Sequence, residues 1–282
     1  NDLPWRALEH VHRKLGPGTV FSHSVGTALI VAELRVGADA VAAALLHGCI
    51  EDGPEFESTF GPAARLARGV AAMARIETLA ATTTDKRIDP HAQLEALRQM
   101  VLAMVEDIRV VLVKLAERTH ALRCAPEQRS DLEQRDTSSQ DAATREALGH
   151  QARELFAPLA NRLGVWQIKW EMEDWAFRYL EPETYKSIAA QLDEKRADRE
   201  AYIQGVIDRL QAELAAHGIE AEVSGRPKHI ASIVNKMRRK RLSFEQLYDI
   251  RAVRVLVRHE TDCYTVLGLV HNLWQPIPGE FD

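Results

Sequence analysis

The chain has 282 residues, room for two domains at about 100–200 residues each. Hydrophobic residues make up 46% and charged residues 27%, an ordinary globular mix able to bury a core. The net charge of −5 and a pI near 6.2 exclude a chain that binds polyanions through its overall charge, so any phosphate-binding function must sit in a local patch.

The three cysteines, Cys49, Cys124 and Cys263, are far apart and form no CxxC pair. This excludes a zinc ribbon or a disulfide framework and fits a reducing compartment. No signal pattern follows Asn1-Asp2-Leu3-Pro4-Trp5, and no apolar run nears the roughly 20 residues of a bilayer span. The expectation is a soluble, cytoplasmic protein that does not engage a membrane.

From the start to about residue 180 the pattern is helical. Val25–Leu34 and Ala38–Leu46 are apolar stretches separated by short Gly- and Pro-containing loops. Leu94, Leu97, Met100, Val101, Met104 and Val105 recur at helical spacing and predict a long helix over Ala92–Leu122. Glu127–Thr144 is polar and reads as a solvated loop or frayed helix start. Trp166, Trp170, Trp175, Phe177 and Tyr179 read as an aromatic core where two elements meet.

Glu181-Pro182-Glu183 breaks that helix, and a long charged helix follows to about His217, with Gly218 as its cap. Beyond it the character changes. Ile219–Ser224 reads as a strand, Pro227–Lys240 as a helix, Ile250–Val257 as a β-branched strand and Thr261–Leu273 as a helix. The expected organisation is a helical domain over 1–180, a connecting helix over 181–217 and an α/β domain over 218–282.

Charge is concentrated in this last part. Between Ser224 and Arg258 lie ten Lys and Arg residues, opposed only by Glu245 and Asp249. Ile230, Ile233, Val234 and Met237 give the helix an apolar face, while Ser232 and Lys236 share another. Gly225-Arg226-Pro227 reads as a strand-to-helix turn ahead of a helix N-terminus, whose free N–H groups favour phosphate. Arg226 and Lys228 flank that turn. Asp249, at a strand entrance beside the basic pocket, is placed to hold Mg²⁺. Two readings fit this pattern: a polyphosphate pocket, or a solvated basic helix face with an Asp that closes a turn.

Gly225-Arg226-Pro227-Lys228-His229-Ile230, then Ser232-Ile233, Lys236-Met237 and Tyr248-Asp249-Ile250-Arg251-Ala252-Val253-Arg254, resemble the synthetase domain of the RelA/SpoT family. Upstream, the stretches from Val101 to Ala116 and from Ala157 to Gly164 resemble its helical hydrolase region, so the resemblance covers nearly the whole chain in order. It implies an all-α HD-type domain followed by a partial, nucleotidyltransferase-like α/β synthetase domain. The implied enzyme is a GTP/GDP 3′-pyrophosphokinase that moves the β,γ-pyrophosphate of ATP onto the ribose 3′-hydroxyl and makes (p)ppGpp, the stringent-response alarmone. By position, Arg226, Lys228, Ser232 and Lys236 match residues at the ATP phosphates, His229 supports the pocket, and Asp249 matches the Mg²⁺ carboxylate. The family's guanine-stacking Tyr and second acidic residue fall beyond Asp282, so this chain alone is expected to have little synthetase activity. The family also implies activation at the ribosome.

The first half resembles the family's Mn²⁺-dependent HD phosphohydrolase, with departures. His23 and His47 occupy the two His positions and Glu51-Asp52 the Glu-Asp pair, but Gly48 replaces a metal-binding Asp, Glu117 a later Asp, and Ala121 an Asn. Loss of a direct ligand and its charge predicts a hydrolase-dead domain that does not bind Mn²⁺. His23 and His47 then become satisfied histidines of a helical core. Glu280-Phe281-Asp282 resembles the start of the acidic motif of monofunctional synthetases.

Two other functions compete. One is a (p)ppGpp 3′-pyrophosphohydrolase that uses His23, His47 and Asp52. The other is an RNA-binding module built on the basic helix Lys236–Arg241, which lacks interleaved aromatics for base stacking. A regulatory role for the dead domain is compatible with synthesis.

Overall fold

The computed structural model describes residues 2–81, 107–125, 138–194, 196–247 and 251–276. The chain divides into two compact units, Asn1–Leu180 and Glu181–Asp282. None of its described helices is long and apolar enough to cross a membrane.

The first unit is helical: α1 (Leu3–Leu15), α2 (Thr19–Glu33), α3 (Ala38–Leu46), α4 (Pro54–Phe60), α5 (Pro62–Ala81), α6 (Ile108–Cys124), α7 (Ser138–Gln151), a π-helical turn (Ala152–Phe156), α8 (Ala157–Arg162) and α9 (Trp166–Leu180). Two of these form its centre. In α3, Ala40, Ala42, Ala43, Ala44, Leu45 and Leu46 are all buried, and the small alanines let α1, α2, α5 and α6 approach closely. In α6, Val110 through Ala116 are buried without a break, so this helix is enclosed on every side.

Two expectations need correction here. The helix predicted over Ala92–Leu122 does not run through position 107. Asp107 has an extended backbone, and its carboxylate accepts the Arg109 N–H, so it caps α6 at Ile108; residues 92–106 lie outside the described residues. Within the polar stretch, Ser138–Thr144 belongs to α7, as its reading as a helix start allows, and residues 127–137 lie outside the described residues. The aromatic residues of α9 are core only in part: Trp175 and Tyr179 pack against it, and Tyr179 donates to the Leu122 carbonyl of α6. Trp166 is 47% exposed, and the buried stripe is Ile168, Met172 and Ala176, spaced i, i+4, i+8, with the aromatics along its flanks.

The second unit opens with α10 (Pro182–Glu194) and α11 (Arg196–Ala216), on either side of position 195. Gly218, at φ +70°, ends α11, and the Ile219 N–H reaches back to the Leu214 carbonyl, a left-handed cap that glycine adopts without strain. Then come β1 (Ala221–Pro227), α12 (Ile230–Lys240), a 3₁₀ turn (Phe244–Gln246), β2 (Arg251–Val257) and α13 (Glu260–Leu273). β1 and β2 pair antiparallel, Ala221 opposite Val257 and Pro227 opposite Arg251. Val223, Val253, Val255 and Val257 face Leu210 and Leu214 of α11 and Val266 and Leu269 of α13, while Arg254 and Leu256 are exposed on the alternate face.

The strand differs from the expected Ile219–Ser224. It runs on through Gly225-Arg226-Pro227, because these residues pair with Val253, Ala252 and Arg251. Pro227 is tolerated as the last residue of β1, where the missing N–H ends the ladder. The turn into α12 is therefore Lys228-His229. Gly225 has a packing reason as well: a Cβ there would lie 2.9 Å from Ile203 Cγ2 of α11.

Candidate functional site

Two sites follow from the sequence, one in each unit. In the first unit, α2, the C-terminal end of α3, and α6 pack on one another and bring His23, His47, Gly48, Glu117 and Ala121 into one neighbourhood. The rings of His23 and His47 stand 5.7 Å apart. His23 Nε2 lies 3.6 Å from Glu117 Oε1, and His23 Nδ1 lies 2.9 Å from the Nδ1 of His120. His47 donates through Nδ1 to the Ala44 carbonyl at 2.7 Å, which leaves its Nε2 as the unprotonated nitrogen.

Glu117 is saturated by internal cations. Lys114 Nζ stands 2.8 Å from its Oε2, Arg118 Nε 3.4 Å from the same atom, and Lys114 is itself buried. Burial alone would raise the Glu117 pKa, but the His23 hydrogen bond and the charges of Arg118 and Lys114 outweigh it and hold the carboxyl well below its ordinary value. His120 is pushed down to about 4, chiefly by burial and then by His23 and Arg123. Burial likewise lowers His47. Both imidazoles are therefore neutral at neutral pH.

Beside position 48 there is little room. A Cβ on Gly48 would lie 3.2 Å from Ser24 Oγ and 3.3 Å from Val20 Cγ1, and Ser24 is fully buried. Glu51 is turned to α1, with its carboxylate 2.6 Å from Lys14 Nζ and 3.5 Å from His10 Nε2. Asp52 is exposed. Among the described residues, no three His, Cys, Asp or Glu side chains are grouped to hold a metal ion.

Three participants were not singled out by sequence reasoning. His120 lies three residues after Glu117, on the same helix face. Lys114 is a charge inside an unbroken apolar run, a position that demands a buried partner. Gly26, three residues after His23, makes room for His120: a Cβ there would fall 1.8 Å from His120 Nε2.

In the second unit the basic segment forms β1, the Lys228-His229 turn and α12. Ala231, Ile233 and Val234 are buried, and Ser232 and Lys236 are half-buried on another face. His229 is the N-cap, with extended backbone and no side-chain capping bond, so the first-turn N–H groups of this 11-residue helix are not capped by its own N-cap side chain. The structure thus brings Lys228, His229, Ser232 and Lys236 to one strand–turn–helix. The backbone of Arg226 lies in β1; its side chain, and Tyr248, Asp249, Ile250 and Glu280-Phe281-Asp282, lie outside the described residues. The β1–β2 register sets Ser224 opposite Arg254, so a further exposed arginine stands beside the strand that leads into the turn. A cavity of about 250 Å³, lined by Ile203, Val206, Leu210, Val253, Val270 and Trp274 among others, lies on the apolar side of this sheet and is separate from the basic turn.

A helical HD-type unit followed by a basic strand–turn–helix defines the class, and comparison with known proteins agrees with it. Residues 3–166 match the HD domain family, and residues 225–282 match the region found in RelA / SpoT proteins. Over 258 residues, 90% of its length, the chain is 42% identical to the GTP pyrophosphokinases of Photobacterium angustum and of Escherichia coli K12. It is 38% identical over 266 residues to a protein of Synechocystis named probable guanosine-3′,5′-bis(diphosphate) 3′-pyrophosphohydrolase. It spans about a third of the length of these relatives, 33%, 33% and 32% respectively. The chain belongs to the RelA/SpoT family.

Proposed function

We propose that the protein is a GTP/GDP 3′-pyrophosphokinase whose HD domain has lost its hydrolase chemistry. The observation that supports synthesis is the strand–turn–helix over residues 225–240, with Lys228, Ser232 and Lys236 on its turn and helix, inside the segment that matches the RelA/SpoT region. Arg226, Lys228, Ser232 and Lys236 hold the ATP phosphates, His229 supports the turn, and Asp249 carries Mg²⁺, whose hard charge suits a carboxylate and phosphate oxygens. The reaction breaks the bond between the α- and β-phosphates and forms one from the β-phosphorus to the ribose 3′-oxygen. AMP leaves and (p)ppGpp forms. Positioning and charge neutralisation carry such a transfer, which is what cationic side chains and a helix N-terminus supply.

The test is pyrophosphate transfer from γ-labelled ATP to GDP, measured on a chain of the relatives' full length. Lys236→Ala and Asp249→Asn should each cut the rate by a hundredfold or more, by about the size of a lost transition-state contact. Wild-type rates in both variants would overturn the assignment.

The residues present do not fit a Mn²⁺ centre, and this supports the hydrolase-dead reading. Gly48 supplies no carboxylate, Glu117 is neutralised by Lys114 and Arg118, Glu51 is engaged by Lys14, and Ala121 has no polar side chain. No hydrolytic step is assigned to this pocket. We further propose that the protein works in the cytoplasm and is regulated through its N-terminal domain, with the ribosome as its activating partner.

A further inference from the structure

We infer that Arg238 and Glu181 are positioning residues that fix the roll of α12 and so aim Ser232 and Lys236. This rests on the phosphate-site reading of those two side chains given above. Arg238 Nη1 donates to Glu181 Oε1 at 3.0 Å and Nη2 donates to Oε2, a fork-to-fork pair across 57 residues of sequence. Glu181 is the first residue of the second unit, immediately before α10. The pair therefore ties the last turn of the basic helix to the residue at which this unit begins.

The pair adds direction to the packing of this helix. At about 100° per residue, the buried positions Ala231, Ile233 and Val234 span about 160° of the helix surface, and Ser232 and Lys236 lie on the remaining side, Lys236 about 60° from Ile233. Apolar burial turns one side of α12 inward, and contacts with α10 hold it there, but each such contact is non-directional and sets the roll only coarsely. Arg238 lies seven residues after the buried Ala231, in the same column, and about 160° round the helix from Lys236. A bidentate guanidinium–carboxylate pair is directional and holds both roll and axial position. Whatever fixes Arg238 on one side fixes Lys236 on the other.

A purely dipolar role for Arg238 is the simpler account, since cations in a last helical turn are favourable wherever they point. That account requires only a charge. It does not require Glu181, and it predicts no coupling between Arg238 and Lys236.

The experiment is titration of the 282-residue chain with Mg²⁺ and α,β-methylene ATP, which cannot undergo the transfer. Arg238→Gln and Glu181→Gln should each weaken binding about three- to fivefold, the upper range for one partly exposed, well-formed ion pair. The exchanged pair Glu181→Arg/Arg238→Glu should recover most of the loss. In a Lys236→Gln/Ser232→Ala background, Arg238→Gln should add nothing further, because both groups it aims are gone. Undiminished binding in Arg238→Gln, or an exchanged pair no better than either single variant, overturns the inference. A parent chain that binds no analogue, or binding untouched by Lys236→Gln and Ser232→Ala, overturns the phosphate-site reading itself. Loss in Lys236→Gln without loss in Arg238→Gln overturns the positioning role alone.

Discussion

Gly26 and His120 illustrate how one missing atom shapes a pocket. The His120 ring occupies the space a Gly26 side chain would fill, with 1.8 Å between Nε2 and the position of a Cβ. Gly26→Ala must expel the ring and break the His23–His120 contact. It should cost about 1–3 kcal/mol, the usual penalty for overpacking. Urea unfolding measures this, and an unshifted midpoint would contradict the described packing. Cys49 offers a second check. Burial, followed by the charge of Glu51, pushes its thiol up to about 11, while Cys263 is exposed. With iodoacetamide at about pH 8, Cys263 should alkylate quickly and Cys49 slowly, since the thiolate is the nucleophile. The Cys49 rate should rise with pH until about 11. Equal labelling at pH 8, followed by mass spectrometry, would refute this.

The pocket residues His23, His47, Gly48 and Glu117 were legible in the sequence because motif order carries them. Lys114 and His120 were not, because their roles exist only once α2 and α6 lie side by side. The sequence also suggested that Glu51 and Asp52 belong with the histidines, but Lys14 and His10 of α1 claim Glu51 instead.

At the scale of elements, α6 is the structural spine of the first unit, and its start depends on one carboxylate. Asp107 accepts from the Arg109 N–H at 2.9 Å and pairs with the Arg109 guanidinium. Asp107→Ala should destabilise the protein by about 0.5–2 kcal/mol, as loss of an N-cap does. The side-chain hydrogen bond from Arg109, opposed by partial burial, holds this carboxyl below its ordinary value of 3.8. The group is depressed on folding, so its contribution is complete above about pH 4 and is lost as the pH falls through the lowered folded value. The difference between wild type and Asp107→Ala should therefore shrink only in acid, below about pH 4; a gap that closes near neutrality would contradict the assignment.

Sequence pattern found α3, α12 and α13 to within a few residues: α3 as a continuous apolar run buried on all sides, α12 by its apolar periodicity. It failed at position 107, where a local cap interrupts a continuous apolar pattern. It also failed at Gly225-Arg226-Pro227, whose turn-like composition was overridden by pairing with β2. In α9, tryptophan content suggested a core, yet the smaller Ile168, Met172 and Ala176 fill it.

For the molecule as a whole, the two units differ in what their candidate sites hold. The second keeps a basic strand–turn–helix of the kind that phosphate transfer requires. The first keeps the helical frame of an HD domain, in which His23 contacts His120 and Glu117, and Glu117 pairs with Lys114 and Arg118. The proposed loss of hydrolase chemistry from this frame motivates a regulatory role. Removing residues 1–180 from an enzyme of the relatives' full length should change its basal or stimulated synthesis rate, and unchanged rates would remove that role.

On the proposed reading, a working hydrolase site takes more than replacing three residues. Ser24 and Val20 already stand within 3.3 Å of where a Cβ at position 48 would sit, so an Asp there meets resistance before it meets a metal. The most direct measurement is ppGpp hydrolysis by the purified chain with Mn²⁺, beside the Gly48→Asp/Glu117→Asp/Ala121→Asn variant. The account predicts no turnover by the parent, with or without chelator. Parent turnover that chelation abolishes would contradict it, because the pocket would then be assembling a metal site from other ligands, and the enzyme would be a hydrolase.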